Sequence, residues 1–240
     1  MTGDTTLDRM RVILNRDGPI NLAKRVLSFG YNQTIRPSLP QNGESIVDYN
    51  GVRVINDDGH WGDSLPLAGD IPLYEEPIIR SVQQYITEGS TVVVVGAGWG
   101  VVTTIVAGKI GNDGHCISYE GSEKMYNRAS RTLELNNIGN NVALKHAIVV
   151  KNLGVWGDDG GADIIPTHEL PKCNALILDC EGAEHSILPD LEQSPEVIIV
   201  EAHEGYDDIA TELRNRGYKI VDKELYVPSE DTYVLTAIIE

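Results

Sequence analysis

The chain has 240 residues, enough to bury a sizeable core in one domain, or in one domain with an extension. Its 36 acidic residues against 19 basic ones leave a formal charge of −17, a balance that opposes non-specific attraction to nucleic acid or to an anionic membrane. The acids are scattered rather than gathered in a tail, and with a single Phe and few Lys such a surface resembles that of proteins from salt-loving organisms. Cys116, Cys173 and Cys180 are odd in number and lie in or beside apolar runs, which predicts buried free thiols rather than a disulfide framework. No stretch approaches the ~20 apolar residues that span a bilayer, and the start of the sequence carries no cleavable apolar segment. The expectation is a soluble cytoplasmic protein.

Taken in chain order, Leu7, Met10, Ile13 and Leu14 share one helical face, and Leu22, Ala23, Val26 and Leu27 mark a second short helix. Arg9, Arg11, Arg16, Lys24 and Arg25 make this the most basic part of the chain, so these helices suit a cap over the main domain, a dimer contact or a membrane-surface helix, with a solvated charged face as the plainer reading. Residues 31–43 read as a connector. Residues 45–55, SIVDYNGVRVI, place Asn50-Gly51 between two apolar runs, a strong hairpin signal. The loop that follows offers His60 and Trp61 for either substrate lining or loop packing. Residues 1–70 are thus expected to form a helical and hairpin extension, with the main domain over residues 71–240.

The main domain opens with an amphipathic helix over residues 74–86, in which Ile78, Ile79, Val82, Tyr85 and Ile86 face inward and Pro77 sits in the first turn. Residues 91–104, TVVVVGAGWGVVTT, then read as a doubly buried strand, a glycine-rich turn and the start of a helix. Gly96, Gly98 and Gly100 allow a tight turn and close approach of main chain to a ligand. The third glycine comes one residue earlier than in the dinucleotide fingerprint G-x-G-x-x-G, and Val101 stands where that fingerprint wants Gly or Ala.

The strand HCISYE follows, ending in Glu120, an acid placed to accept hydrogen bonds from two ribose hydroxyls. A helix from Ser122 leads to the strand VALKHAIV, whose His146 and Ala147 are candidates for an adenine edge, with a plain core strand as the alternative. A glycine-rich, acidic loop is expected over residues 154–163. Residues 174–188, NALILDCEGAEHSIL, give another buried strand, an acidic turn and a helix that stops at Pro189. EVIIVEAH is a fifth strand, with Glu201 and His203 at its tip, and a helix over residues 209–215 follows it. Asp179, Glu181, Glu184, Glu201 and His203 should converge at the carboxyl edge of the sheet, where open α/β folds bind ligands. Two closing segments, YKIVDKELYV and DTYVLTAII, should pair antiparallel through a turn near Pro228.

The glycine-rich loop, the acid ending the second strand, LDCEGAEHSIL and VIIVEAH together resemble the FkbM family of S-adenosylmethionine-dependent methyltransferases, from about residue 74 to the C-terminus. Asp179, Glu181, Gly182, Glu184, Glu201 and His203 match that family's motif; Cys180 stands where an aliphatic residue is more usual, and Trp99 fills the variable position of the loop. The resemblance implies a doubly wound α/β sheet of seven strands, mostly parallel, with helices on both faces and an antiparallel last strand inserted beside the fifth. It implies S-adenosylmethionine as cofactor, held by Gly96, Ala97, Gly98, Trp99, Gly100, Glu120, Gly121, His146, Ala147 and Asp179. It also points to O-methylation of a sugar, glycolipid or secondary-metabolite hydroxyl.

A sulfonium methyl is already electrophilic, so the protein needs mainly to align an acceptor and receive its proton. His203 is the first candidate base, because its ordinary pKa lies near neutrality, with Asp179 or Glu181 as the second. A divalent ion held by Glu181 and His185 with Asp179, Glu201 and His203 is conceivable, but no H-x-E-x-x-H-like or paired-cysteine spacing supports it, and no metal is expected. A nicotinamide oxidoreductase using the same loop and Glu120, and a non-catalytic nucleoside-binding protein, are the alternative functions. The expected partners are a small-molecule or glycan acceptor and a second copy joined through residues 1–70, with no nucleic acid.

Overall fold

The computed structural model describes residues 45–56, 71, 73–150, 158–203, 206–227 and 231–240. The helices expected before residue 30, the connector, His60 and Trp61, and the first part of the loop at 154–163 lie outside the described residues. The chain divides into two compact units, with the boundary between Tyr74 and Glu75.

In the first unit, β1 (Ser45–Tyr49) and β2 (Val52–Asn56) pair antiparallel, with Tyr49 opposite Val52. Asn50 and Gly51 have φ of 51° and 80°, the two left-handed residues that a tight hairpin turn with the right twist demands. Val47, Tyr49, Val52 and Val54 face inward in strict alternation, and the ring of Tyr49 lies 4.7 Å from that of Tyr74.

The second unit is built on one sheet. Its strands are β3 (Thr91–Val95), β4 (His115–Glu120), β5 (Val142–Val149), β6 (Asp163–Ile165), β7 (Ala175–Leu178), β8 (Val197–Ala202), β9 (Tyr218–Val227) and β10 (Thr232–Ile239). They lie in the order β6-β5-β4-β3-β7-β8-β10-β9. All neighbouring pairs are parallel except those of β10, which runs antiparallel between β8 and β9. The sheet therefore has eight strands where seven were expected. The extra one, β6, is a three-residue edge strand pairing Ile148 with Ile164. Asp163, expected in the acidic loop, opens this strand; three residues are too few for alternation to show in sequence.

Val92 to Val95 are buried on both faces because β3 is paired on both sides, to Cys116–Tyr119 of β4 and Ala175–Leu178 of β7. One face of the sheet carries Val93, Val95, Leu176, Leu178, Ile198, Val200 and Leu235 into a core with α4 (Glu184–Ile187) and α5 (Tyr206–Asn215). The opposite face takes α1 (Glu76–Tyr85) and α2 (Val101–Ile110), fastened by buried hydroxyl pairs: Ser81 with Thr236 at 2.7 Å, and Thr103 with Ser118 at 2.8 Å. Helix α3 (Glu123–Leu135) starts at Ser122, whose hydroxyl accepts the N–H of Met125 as an N-cap.

The cysteine expectation needs correction. All three are free, but only Cys116 is buried outright; Cys173 and Cys180 are half-buried, because both lie just outside their strands. Burial pushes the thiols of Cys116 and Cys173 up to about 12, which leaves them unreactive at neutral pH.

Candidate active site

The winding of the sheet reverses at β3, which has β4 on one side and β7 on the other, so a crevice opens at the carboxyl ends of these strands. The loop of residues 96–100 lies there. Gly96, Gly98 and Gly100 all have left-handed φ, at 93°, 52° and 82°. Their neighbours differ. A Cβ on Gly96 would fall 1.7 Å from the main-chain oxygen of Asp179, and one on Gly100 would fall 3.0 Å from Cα of Ala129 in α3. These two glycines let β7 and α3 close on the loop. Among the described residues, a Cβ on Gly98 would meet only Oε1 of Glu75, at 3.9 Å. Of the three glycines expected to meet a ligand, Gly98 is the least crowded by the described residues. The ring of Trp99 is buried beneath Arg128, whose Cζ lies 4.3 Å from the ring centroid.

Glu120 pins this loop. Its Oε2 accepts the N–H of Gly98 and its Oε1 the N–H of Ser122, both at 2.8 Å. Burial raises its pKa, and the N–H groups of Ser122 and Gly98 oppose that rise. Gly121 continues the chain between the two contacts. In register with Glu120 on β5 stands His146, stacked on Tyr126 at 5.1 Å, with its buried Nε2 lacking a hydrogen-bond partner among the described residues. Ala147 beside it is buried.

The second cluster forms at the ends of β7 and β8. Nε2 of His203 lies 3.5 Å from Oε2 of Glu181 and 3.5 Å from Oε1 of Glu201, while its Nδ1 lies 3.5 Å from Oε1 of Glu184. That last approach is an ion-pair distance, not a hydrogen bond, and Nδ1 has no hydrogen-bond partner among the described residues. Ligand atoms of Asp179, Glu201 and His203 all fall within 4.8 Å of one another. Glu184 is fully buried and accepts the main-chain N–H groups of Gly182, at 2.8 Å, and His203, at 3.0 Å, so it ties the acidic turn to the tip of β8. The acids and His203 do converge.

His185 is not among them. Glu181 has φ 52° and belongs to the turn before α4, so it shares no helix face with His185, whose Nε2 lies 3.2 Å from the carbonyl of His203. The helix-face spacing that suggested pairing Glu181 with His185 is therefore not formed.

The electrostatics sort these groups. Burial of Asp179 pushes its carboxyl up to about 7; the charge of His203 opposes the rise, and Glu181, Glu184 and Glu120 add to it. Glu201, 6% exposed, is held far above the carboxylate range by burial and by the charges of Asp179 and Glu75. Burial alone would lower His203, but Glu184 and Glu181 prevail and raise it to about 9. For Glu184 burial is outweighed by its contacts to His203, and the group stays ionised below its ordinary range. At neutral pH His203 is thus an imidazolium facing the ionised Glu184, while Glu201 keeps its proton.

A model of the methyltransferase FkbM domain matches residues 82–220, more than half of the sequence. The chain belongs to the FkbM methyltransferase family. Among curated proteins, none matches in sequence. Among solved structures, the fold resembles that of Trm5b from Pyrococcus abyssi, at 17% identity and a TM-score of 0.51 over 81% of this chain, which spans 55% of that protein's length. It also resembles M. jannaschii TYW2, solved in complex with AdoMet, at 16% identity and a TM-score of 0.51 over 83% of this chain and 87% of that one. The ribosomal protein L11 methylase from Lactobacillus delbrueckii subsp. bulgaricus matches at 13% identity and a TM-score of 0.52, over 74% and 90% of the two chains.

The cofactor of this FkbM domain is S-adenosylmethionine, and the residues present fit it. The orphaned Nε2 of His146 lies in register with Glu120, and the open side of Gly98 continues the same crevice. Two residues beside the glycine loop were not among the sequence candidates. Glu75, inside the run Glu75-Glu76-Pro77, is buried beside Gly98. Tyr226 looked like an ordinary strand residue, yet its hydroxyl accepts the N–H of Glu75 at 3.0 Å. No local pattern marks either one, because their contact joins segments 151 residues apart.

Proposed function

We propose that this protein transfers a methyl group from S-adenosylmethionine to an oxygen of a sugar, glycolipid or secondary metabolite. The observation that carries this reading is the convergence of Asp179, Glu201 and His203 within 4.8 Å at the strand ends beside the glycine loop. The bound cofactor supplies a methyl on a sulfonium, which needs an aligned nucleophile more than an activated electrophile. On this reading Gly96 to Gly100, with Ala97 and Trp99 through main chain, line the methionine part. Glu120 and Gly121 hold the ribose, while His146 and Ala147 meet the adenine edge.

Asp179, Glu181 and His203 form the acceptor side. A hydroxyl acceptor must lose a proton as its oxygen gains the methyl, and a base that titrates near neutrality serves best. Asp179, at about 7, fits that role, whereas His203, at about 9, is already protonated at neutral pH and acts as the cation that keeps Asp179 ionisable. Glu181, with a side chain 49% exposed, faces His203 from the solvent side. The charge of −17 supports a salt-rich cytoplasm as the working medium and speaks against a nucleic-acid acceptor. Residues 1–70 are left to govern acceptor choice or pairing of two copies.

The test is transfer of labelled methyl to a panel of glycan and polyol acceptors. The unmodified protein should label a hydroxyl, and Asp179→Asn should abolish labelling while S-adenosylhomocysteine still binds. Labelling that persists in Asp179→Asn would remove the base assignment, and labelling confined to amines or thiols would overturn O-methylation.

A further inference from the structure

Glu75 is 9% exposed and has a left-handed φ of 50°, a conformation strained for a non-glycine residue. It occupies the N-cap position of α1, yet its side chain makes no capping hydrogen bond to that helix. Its main chain is fixed at both ends: the N–H donates to the hydroxyl of Tyr226 at 3.0 Å, and the C=O accepts the N–H of Ile79 at 3.0 Å. Held in this way, the side chain is delivered to the glycine loop, with Oε1 the atom that a Cβ on Gly98 would meet, at 3.9 Å. The charge of Glu75 is felt by Glu201 and by Tyr226, so it belongs to the same crevice as the acceptor-side acids.

S-Adenosylmethionine carries a sulfonium and, on its methionine part, an α-ammonium and an α-carboxylate; the main-chain N–H groups of the loop suit the carboxylate but give the ammonium no acceptor. We infer that Glu75 binds the α-ammonium group of the methionine part, with Tyr226 as the residue that positions it. The inference rests on the cofactor assignment and is independent of the acceptor. A carboxylate over the open side of Gly98 accepts hydrogen bonds from an ammonium brought along the loop, and its burial strengthens that attraction. It also separates ligands chemically: nucleosides that carry the amino-acid group are favoured over those that lack it.

The experiment compares two ligands by calorimetric titration of the full chain. S-Adenosylhomocysteine keeps the ammonium, whereas 5′-methylthioadenosine keeps the adenosine and thioether but has no amino acid. Glu75→Gln should weaken S-adenosylhomocysteine by about tenfold or more, the scale of a charge-assisted hydrogen bond, and leave methylthioadenosine unchanged. Tyr226→Phe, which removes only the hydroxyl that holds the main chain of Glu75, should give a smaller loss with the same selectivity.

Equal loss of both ligands in Glu75→Gln would mean that the residue shapes the crevice without meeting the ammonium, and no loss of either would dismiss it; both results overturn the inference. Should the unmodified chain bind neither ligand, the cofactor assignment itself falls, and the role of Glu75 falls with it.

Discussion

The charge arrangement around His203 gives the folded protein a pH dependence that can be worked out in advance. His203 titrates at about 9 in the folded chain and near 6.5 when unfolded, so its stabilising contribution is complete below 6.5 and is lost as pH rises through about 9. Averaged from pH 7 to 9, the folded state holds about 0.8 of a proton more than the unfolded state at this residue. At about 1.4 kcal/mol per pH unit per proton, that amounts to a loss of about 2–3 kcal/mol over the interval. Of the groups facing His203, Glu201 acts in the same direction, since its carboxyl is raised by burial. Asp179, raised to about 7, makes most of its change below the interval. Glu184, lowered by its contacts to His203, matters only in acid. The assay is denaturant unfolding without ligand at pH 7, 8 and 9 in constant high salt, for the unmodified protein and for His203→Gln. Stability should fall with pH in the former and fall less steeply, by about 0.8 of a proton's worth, in the latter. A flat or rising curve from pH 7 to 9, or an unchanged slope in His203→Gln, would refute the electrostatic picture of the cluster.

Two further outcomes follow from the loop. Gly96→Ala would drive a Cβ into the main-chain oxygen of Asp179, so it should prevent folding or lower the melting temperature sharply, whereas Gly98→Ala should keep the fold at a cost of about 1 kcal/mol and lose affinity for S-adenosylhomocysteine. Glu120→Gln leaves one of the N–H groups of Gly98 and Ser122 facing an amide donor; the apo protein should lose about 1.5–3 kcal/mol in denaturant unfolding and bind S-adenosylhomocysteine more weakly.

The central strands were legible because burial on both faces writes an unbroken apolar run, as in Val92 to Val95, and because glycines punctuate the turn that follows. Asp179, Glu181, Glu201 and His203 could be placed at the strand ends from topology alone. Their protonation states could not, since the raised pKa values of His203 and Asp179 depend on burial and on distances of 3.5 Å between segments far apart in sequence. The division of labour among the glycines was equally hidden: Gly96 and Gly98 look alike in sequence and differ only in what stands opposite them. One short element was lost for want of length, β6 as a strand of three residues.

The claim on which the account turns is that the crevice at the ends of β3, β4 and β5 is an S-adenosylmethionine site. Isothermal titration of the purified protein in high salt with S-adenosylmethionine, S-adenosylhomocysteine and NAD tests it directly, with Glu120→Ala in parallel. The account predicts binding of both sulfur nucleosides, weakened in Glu120→Ala, with no heat from NAD. Tight binding of NAD with silence from the other two would contradict it.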